Sequence, residues 1–296
     1  MPSRAPAGPP SGAPAAGRRR PWRAAWALLQ ASHLGPALAV TAFATALCAG
    51  MGAAVGVWLA MAGAVLLGQL SVGWSNDWVD HARDLRVGRA DKPLAVGSLR
   101  VGVVRGAALT ALAACVPASW ALGWRAGGLH LLAVASAWSY NLVLKRTAWS
   151  WAPFAVSFGL IPVFTALAVP GRAGPPWWAV AAGALLGVGA HLVNVVPDLE
   201  DDAATEVRGL PHRLGARAST VLAAAAMLVA TGCLVLAPGS GLIGPPGAGL
   251  AAAVLLVAGC AATAVARPWS RLPFALAMAV AAVDVVLLIG ALGAQA

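Results

Sequence analysis

Residues 54–84, AVGVWLAMAGAVLLGQLSVGWSNDWVDHARD, join a long apolar run to a short acidic motif. An apolar run of about 20 residues has the length of a helix that crosses a lipid bilayer. If the helix continues past this run, Asp77, Asp80 and Asp84 follow one another at i, i+3 and i+7, which places them on one face. Asn76, Asp80 and Asp84 form a similar set at i, i+4 and i+8. The stretch therefore predicts a membrane helix that ends in a row of carboxylates.

The rest of the chain repeats the apolar half of this pattern. Of its 296 residues, 60% are hydrophobic and 10% are charged, whereas soluble domains have about 25% charged residues. This composition excludes a soluble protein and predicts an all-α, polytopic membrane bundle of about nine transmembrane helices. Residues 1–21, rich in Pro, Gly and Ala, are expected to form a disordered cytoplasmic tail, and residues 22–296 a single membrane domain. The expected spans are residues 25–47, 54–75, 101–123, 127–144, 152–169, 177–196, 217–237, 248–266 and 273–293.

The basic residues indicate how these spans are oriented. With the N-terminus in the cytoplasm, all Lys and Arg residues except Arg125 and Arg172 fall on the cytoplasmic side, as the positive-inside rule requires. We therefore expect a multi-pass protein of the cell membrane with a cytoplasmic N-terminus. The net charge of +10 would also suit nucleic acid. However, the basic residues are interspersed with apolar runs, which argues against that partner and for membrane lipid.

Nine of the ten acidic residues fall in two short segments. The first segment ends at Asp91, and the second runs from Asp198 to Glu206. Within the second, Asp198 precedes Asp201 by three residues and Asp202 by four, which again favours one helical face. Both segments lie in connections that the charge bias assigns to the cytoplasmic side. The topology therefore allows them to meet over one cavity.

Carboxylates stacked in this way repel one another and are costly near a membrane. A divalent cation relieves the repulsion, and Mg²⁺ commonly binds a few carboxylates together with substrate phosphates. The combination predicts a Mg²⁺–diphosphate site at the mouth of an apolar bundle whose interior suits an isoprenoid chain. The alternative is ordinary solvated loop charges, which remains open for any single aspartate but explains the two segments together poorly. The candidate metal ligands are Asp77, Asp80, Asp84, Asp198, Asp201 and Asp202, and the accompanying basic residues are Arg83, Arg89, Lys92, Lys145, Arg208 and Arg213.

These motifs resemble those of the UbiA superfamily of intramembrane prenyltransferases. Residues 76–84 resemble the family's first motif, NDxxDxxxD, and residues 198–202 resemble its second Asp-rich motif. Three further stretches resemble the family segments that follow the first motif, the fourth helix and the second motif, namely residues 89–97, 140–146 and 209–215. The chain departs from the family at Glu206, where many relatives have a small residue, and at Gly209, where many have Thr. The resemblance covers nearly the whole chain after the tail.

The resemblance implies a helical bundle around a central cavity that opens laterally to lipid. It further implies a prenyltransferase of isoprenoid biosynthesis, in which Mg²⁺ held by both motifs helps to ionise an allylic prenyl diphosphate for attack by a lipophilic acceptor. Carried over residue by residue, the catalytic carboxylates that hold Mg²⁺ are Asp77, Asp80, Asp84, Asp198 and Asp202. The residues that contact the diphosphate are Asn76, Arg83, Arg89, Tyr140 and Lys145.

Several alternatives are left open by these residues. Within the superfamily, the acceptor is an aromatic compound, a phosphosugar, a tetrapyrrole, or the prenyl chain itself, as in a membrane terpene cyclase. A CDP-alcohol phosphotransferase is disfavoured because its DG…AR…G motif is absent. A proton-coupled transporter would place carboxylates midway along broken spans, whereas all but Asp284 lie at span ends. Asp284 stands alone in the last span and receives no role.

Overall fold

The computed structural model describes residues 21–205, 207–238, 244–266 and 272–293. Residues 1–20 of the expected tail and Glu206 therefore lie outside the described residues. Within the described ranges the chain forms eleven α-helices and no strand. The helices are α1 (Pro21–Ala31), α2 (Leu34–Gly50), α3 (Val55–Arg86), α4 (Val101–Trp120), α5 (Trp124–Leu142), α6 (Ala152–Ala168), α7 (Trp177–Val195), α8 (Leu199–Ala204), α9 (Leu210–Val235), α10 (Pro245–Ala266) and α11 (Leu272–Gly293). Two short 3₁₀ segments, Leu144–Arg146 and Val196–Asp198, precede α6 and α8.

A helix occupies each expected span, which confirms the all-helical membrane fold. Among the described residues, α3, α4, α7, α9, α10 and α11 are long and apolar enough to cross a membrane, and α1 with α2 makes a seventh span if the bent pair counts as one. α6 is apolar but has only 17 residues, and α5 packs beside it. Two helices extend beyond their expected spans, since α3 runs on to Arg86 and α9 begins at Leu210. A kink at Gly215 (φ 78°, ψ 166°) separates the first turns of α9 from the rest of the helix. Both extensions carry polar residues that hydropathy alone leaves out.

The first expected span is broken at Ser32 and His33. α1 and α2 are bent by 65° relative to each other, and His33 has left-handed backbone angles of φ 54° and ψ 51°. Pro36 explains the break, because it has no N–H to donate to the Ser32 carbonyl and its ring would clash with that carbonyl in a continuous helix. The corner packs tightly on α3, where a Cβ on Gly73 would overlap the Ser32 carbonyl oxygen. This approach therefore requires glycine.

The helices pack around a closed ring, largely in chain order. α3 contacts α2, α4 and α5, while α6 contacts α5 and α7, and α9 contacts α7 and α10. α11 closes the ring because it contacts α10, α9, α7 and α2. Contacts of Lys145 with Asp80 and of Leu210 with Ser150 bring the end of α3, the α5–α6 connection and the start of α9 together. We call this end of the bundle the site end.

Exposed tryptophans mark both ends of the bundle. Tryptophan is enriched at the two membrane–water interfaces, where its amphipathic ring sits at the level of the lipid headgroups. Trp22, Trp26 and Trp149 are exposed at the site end, and Trp120, Trp124 and Trp177 are exposed at the opposite end. The two groups indicate that the bundle crosses the bilayer with the site end at one interface.

Arg172, between α6 and α7, joins two helix ends at the end opposite to the site. Its guanidinium donates hydrogen bonds to the carbonyl oxygens of Met51 (2.8 Å) and Leu292 (2.6 Å). Hydrogen bonds from charged groups are among the stronger ones, so Arg172→Gln should lower the unfolding free energy by about 2 kcal/mol. Thermal unfolding of the purified protein in detergent measures this loss. Arg125→Gln, an exposed arginine at the same end, is the matched control, and equal melting of both variants would contradict the assignment.

Candidate active site

The last turns of α3 place the first acidic segment inside the bundle. α3 continues unbroken to Arg86, so Asp77, Asp80 and Asp84 lie on one face, and each is at most 3% exposed. Buried carboxylates are costly unless they are paired with cations and hydrogen-bonded. In this structure basic side chains from the helix itself, from the loop after it and from the α5–α6 connection supply that pairing.

Arg83 joins the two acidic segments. Its Nη2 atom lies 3.2 Å from Oδ2 of Asp80 and 3.4 Å from Oδ1 of Asp84, both on α3. Its Nη1 atom lies 3.0 Å from Oδ1 of Asp202, on α8. Asp202 is also buried. The two segments therefore meet at one place, as the predicted topology allows, and a single guanidinium lies between them.

Arg89, in the loop after α3, makes a second connection between the segments. Its Nη1 atom lies 3.2 Å from Oδ1 of Asp198, and Nε and Nη2 each donate a 2.9 Å hydrogen bond to Asp91. These bonds from Arg89 lower the pKa of the Asp91 carboxyl to about 2, and the bonds to Asp91 raise the pKa of Arg89. Asp91 thus stays ionised and holds Arg89 toward the second segment.

Lys145 reaches the first segment from the 3₁₀ turn after α5. Its buried ammonium group contacts Asp80. Burial lowers the pKa of Lys145, and the charge of Asp80 acts in the opposite direction. Gly209, which precedes α9, packs directly against this turn, because a Cβ on Gly209 would come within 2.8 Å of the Lys145 carbonyl oxygen. Ser150 adds a link by accepting a 2.9 Å hydrogen bond from the backbone N–H of Leu210, so close packing accounts for the glycine at position 209.

Asn76 lies on α3 but is directed toward α5. Its Nδ2 atom donates to Oδ1 of Asn141 at 3.2 Å. Asn141 is itself buried and donates to the Ser75 hydroxyl at 2.8 Å and to the Val72 carbonyl at 2.9 Å. In this arrangement Asn76 fixes the packing of α3 on α5.

Tyr140, in the last turn of α5, forms part of an aromatic wall inside the site end. Its ring meets those of Phe154 and His191 edge-on, with centroids 5.0 Å and 5.6 Å apart. Phe154 and His191 also pack on each other at 4.7 Å. Tyr140 lies close enough to Asp80 and Asp202 to experience their charges. The wall therefore lies beside the point where the two acidic segments meet.

His33 is a site residue that the sequence pattern did not reveal. Its Nε2 atom lies 3.0 Å from Oδ1 of Asp77 and 3.0 Å from Nζ of Lys92, and Nζ of Lys92 lies 2.6 Å from the same Asp77 oxygen. A single ring nitrogen can either donate to the carboxylate or accept from the ammonium, so the tautomer of His33 decides whether Nε2 binds Asp77 or Lys92. The available sequence signal was Pro36, because the helix break that it causes brings His33 to the site.

His33 should matter through its imidazole and not through its backbone. The resemblance implies that Asp77 holds Mg²⁺ and that the substrate is a prenyl diphosphate. Removing a side chain that orients a metal-binding carboxylate typically costs 10–100-fold in affinity or activity, so we expect a loss of about that size in kcat/KM for that implied substrate from His33→Gly. Glycine accepts the left-handed backbone angles without strain, so this variant should melt no lower than the wild type. A His33→Gly protein with wild-type kcat/KM would show that the His33 imidazole does not contribute to activity.

The site offers oxygen donors, and cations occupy most of them. Among the described residues, no group of three or more acidic, His or Cys side chains is arranged to hold a metal ion. The side chain of Asp201, another predicted ligand, is outside the described part of the structure. Oδ2 of Asp77 is buried and has no hydrogen-bond partner within the described ranges. The carboxylates that the resemblance assigns to a metal ion are therefore paired mainly with basic side chains in this structure.

A comparison with known families matches this chain to the UbiA prenyltransferase family over residues 22–283. The chain matches none of the curated proteins by sequence.

Solved structures share the fold at low sequence identity. A UbiA homologue from Aeropyrum pernix K1 has a TM-score of 0.71 and 20% identity, with 86% of this chain and 98% of that chain covered. A UbiA homologue from Archaeoglobus fulgidus, bound to GPP and Mg²⁺, has a TM-score of 0.67 and 14% identity, with 90% and 99% covered. Digeranylgeranylglyceryl phosphate synthase has a TM-score of 0.64 and 14% identity, with 91% and 98% covered. At these identities the likeness concerns the fold.

Proposed function

The chain belongs to the UbiA prenyltransferase family, and from that premise we propose that it transfers an isoprenyl group to an acceptor within the membrane. The donor is an allylic prenyl diphosphate, the reaction depends on Mg²⁺, and the acceptor is a lipophilic aromatic compound. The observation that carries the proposal is the meeting of the two acidic segments through Arg83, next to Lys145, at one end of an apolar bundle. That end presents carboxylates and cations together, as a metal–diphosphate site requires.

The donor atoms suit Mg²⁺. The cation prefers carboxylate oxygens and usually shares its coordination with substrate phosphates and water. The proposed ligands are Asp77, Asp80, Asp84, Asp198 and Asp202, with Asp201 as a further member of the predicted set. Oδ2 of Asp77 supports this assignment, because it is buried and has no hydrogen-bond partner among the described residues. When bound, Mg²⁺ supplies positive charge that favours departure of the diphosphate.

The basic residues of the site act on the leaving group. Arg83, Arg89 and Lys145 are held by carboxylates of both segments, so their charged groups are already concentrated where the diphosphate would lie. Preorganised cations of this kind stabilise the charge that develops as the bond to the allylic carbon breaks. Lys145 is almost fully buried, and its charge is therefore weakly screened by water.

The aromatic wall of Tyr140, Phe154 and His191 suits the other half of the reaction. Positive charge develops on the allylic carbon, and aromatic faces attract such charge while excluding water that would quench it. Tyr140 packs on Phe154 and lies near the acidic segments. The leaving group and the allylic carbon would therefore occupy adjacent regions, one charged and one aromatic. The remaining prenyl chain would extend into the apolar bundle.

We further propose that the site end faces the cytoplasm of a cell-membrane protein. The support is the charge bias, since among the basic residues that the structure describes only Arg125 and Arg172 fall at the opposite end. Cysteine labelling from outside intact cells tests this. A cysteine at Trp124 should react with an impermeant maleimide and one at Trp149 should not, and the reverse pattern would overturn the orientation.

A single incubation tests the proposed activity and its alternatives. The full chain in lipid nanodiscs is supplied with labelled GPP, DMAPP or longer prenyl diphosphates, with and without a panel of phenols, and the products are identified. Prenylated phenol that forms with Mg²⁺ and not with EDTA supports the proposal. Product from prenyl diphosphate alone would favour a terpene cyclase instead, and transfer at the same rate with EDTA would overturn the metal dependence.

A further inference from the structure

The outer surface of α3 and α4 at the site end combines arginines with apolar side chains. We call this surface the α3–α4 rim and define it by Trp78, Leu85, Arg86, Arg100, Val101 and Arg105. Its three arginines are exposed, as are Leu85 and Val101. None of the six belongs to the carboxylates or cations of the site, so the chemistry of the site does not explain this surface.

Helix geometry brings four of these residues together, while Arg86 directly follows Leu85 and Arg100 directly precedes Val101 in sequence. Trp78 and Leu85 are spaced i, i+7 on α3, and Val101 and Arg105 are spaced i, i+4 on α4, so each pair shares a helical face. The Arg105 guanidinium lies over the Trp78 ring at 5.2 Å from its centroid. This contact joins the two faces across the α3–α4 interface, because it holds the Arg105 side chain against α3.

In the part of the chain that the structure describes, the rim arginines have no carboxylate partner, whereas the arginines of the site do. Arg83 and Arg89 each lie within 4.0 Å of acidic side chains from both segments. In the described ranges no carboxylate lies within that distance of Arg86, Arg100 or Arg105. The rim therefore presents three positive charges that the described part of the protein leaves unneutralised, beside apolar side chains that face outward.

Lipid headgroups match both properties. Guanidinium groups bind phosphate oxygens in a bidentate manner, and basic clusters at the ends of membrane helices attract anionic lipids. Leu85 and Val101 would contact the upper part of the acyl chains, while Trp78 lies at the interface depth that tryptophan favours. A soluble polyanion would gain nothing from these apolar side chains. We propose that the α3–α4 rim binds the phosphate group of an anionic membrane phospholipid, independently of the reaction at the site.

Native mass spectrometry of the full chain tests this proposal. The protein in neutral detergent is titrated with phosphatidylglycerol or with phosphatidylcholine, and the retained lipid is counted. Wild type should retain phosphatidylglycerol in preference. The Arg86→Gln/Arg105→Gln double variant should bind it roughly 30-fold more weakly, since each basic residue at a lipid surface contributes about a factor of five.

Arg125→Gln is the matched control because Arg125 lies over the Trp124 ring at 6.0 Å, which repeats the Arg105–Trp78 arrangement at the opposite end. Among the described residues the other arginine at that end is Arg172, whose guanidinium is bound to two carbonyl oxygens, so the Arg125→Gln variant should retain phosphatidylglycerol as wild type does. Equal retention of both lipids by wild type would overturn the proposal. So would a double variant that retains as much phosphatidylglycerol as Arg125→Gln.

Discussion

Asp80→Asn should reduce prenyl transfer by about 10²–10³-fold, the cost of removing one preorganised electrostatic group from an active site. Asp80 contacts Lys145 through one oxygen and Arg83 through the other, so it lies where the diphosphate cations and the proposed metal ligands meet. Asparagine has nearly the same shape but no charge. The measurement is the rate of labelled prenyl transfer at saturating Mg²⁺, together with the amount of folded protein.

The folded fraction matters because Asp80→Asn leaves Lys145 buried without its counter-charge. Breaking one partner of a buried ion pair costs about 3–5 kcal/mol, whereas replacing both partners by neutral side chains is often tolerated. The double variant Asp80→Asn/Lys145→Met should therefore recover most of the melting temperature and none of the activity. Recovery of activity along with stability would show that Asp80 serves only the fold.

Asp284→Asn is the matched control for Asp80→Asn. Asp284 is fully buried in α11, and among the described residues its two oxygens have no hydrogen-bond partner. The substitution is the same, at comparable burial, in a membrane helix away from the site. It should leave prenyl transfer within about two-fold of wild type and leave the protein at least as stable, because an unpaired buried carboxyl gains little from charge.

Arg83→Gln should make the stability of the protein depend on Mg²⁺. The guanidinium lies between Asp80, Asp84 and Asp202, and without it these buried carboxylates repel one another. In EDTA the variant should lose about 3–5 kcal/mol of unfolding free energy. Added Mg²⁺ should restore most of it, because a ligand that binds only the folded state stabilises that state by mass action.

Wild type should respond to Mg²⁺ less than Arg83→Gln does, since its guanidinium already neutralises the carboxylates. Thermal unfolding across a Mg²⁺ titration compares the two proteins, with Ca²⁺ as a second cation and Arg125→Gln as the control that keeps the site intact. Despite its recovered stability, the variant should remain about 10²-fold slower in prenyl transfer, because the diphosphate loses one cation. An equal Mg²⁺ response in wild type and variant would mean that these carboxylates hold no metal.

The sequence predicted those features that depend on local pattern and on side-chain type. Apolar length located a helix for each span, and the spacing of Asp77, Asp80 and Asp84 placed them on one face of a continuous α3. Charge bias predicted that both acidic segments share one side, and the contacts of Arg83 and Arg89 bring them together. These predictions succeed because helical periodicity and the transfer free energies of side chains depend on nearby residues in the sequence.

The features that the sequence did not predict depend on contacts between distant residues. His33 reaches Asp77 only because a helix break, packed on Gly73, redirects the chain. The partners of Asn76 and of Lys145 also depend on how α5 lies against α3. Hydropathy also placed the end of the second span at residue 75, whereas α3 continues to Arg86. An average hydropathy does not distinguish polar residues on an inward-facing helix surface from polar residues in a loop.

A structure of the full chain with Mn²⁺ and a non-reactive thiolo-diphosphate analogue of GPP tests the central claim most directly. Mn²⁺ takes oxygen ligands like those of Mg²⁺ and gives an anomalous signal that locates it. We predict metal peaks between the carboxylates of α3 and those of residues 198–202, with the diphosphate in contact with Lys145 and Arg83. Metal peaks bound by one segment alone, or a diphosphate that contacts neither Lys145 nor Arg83, would contradict the account.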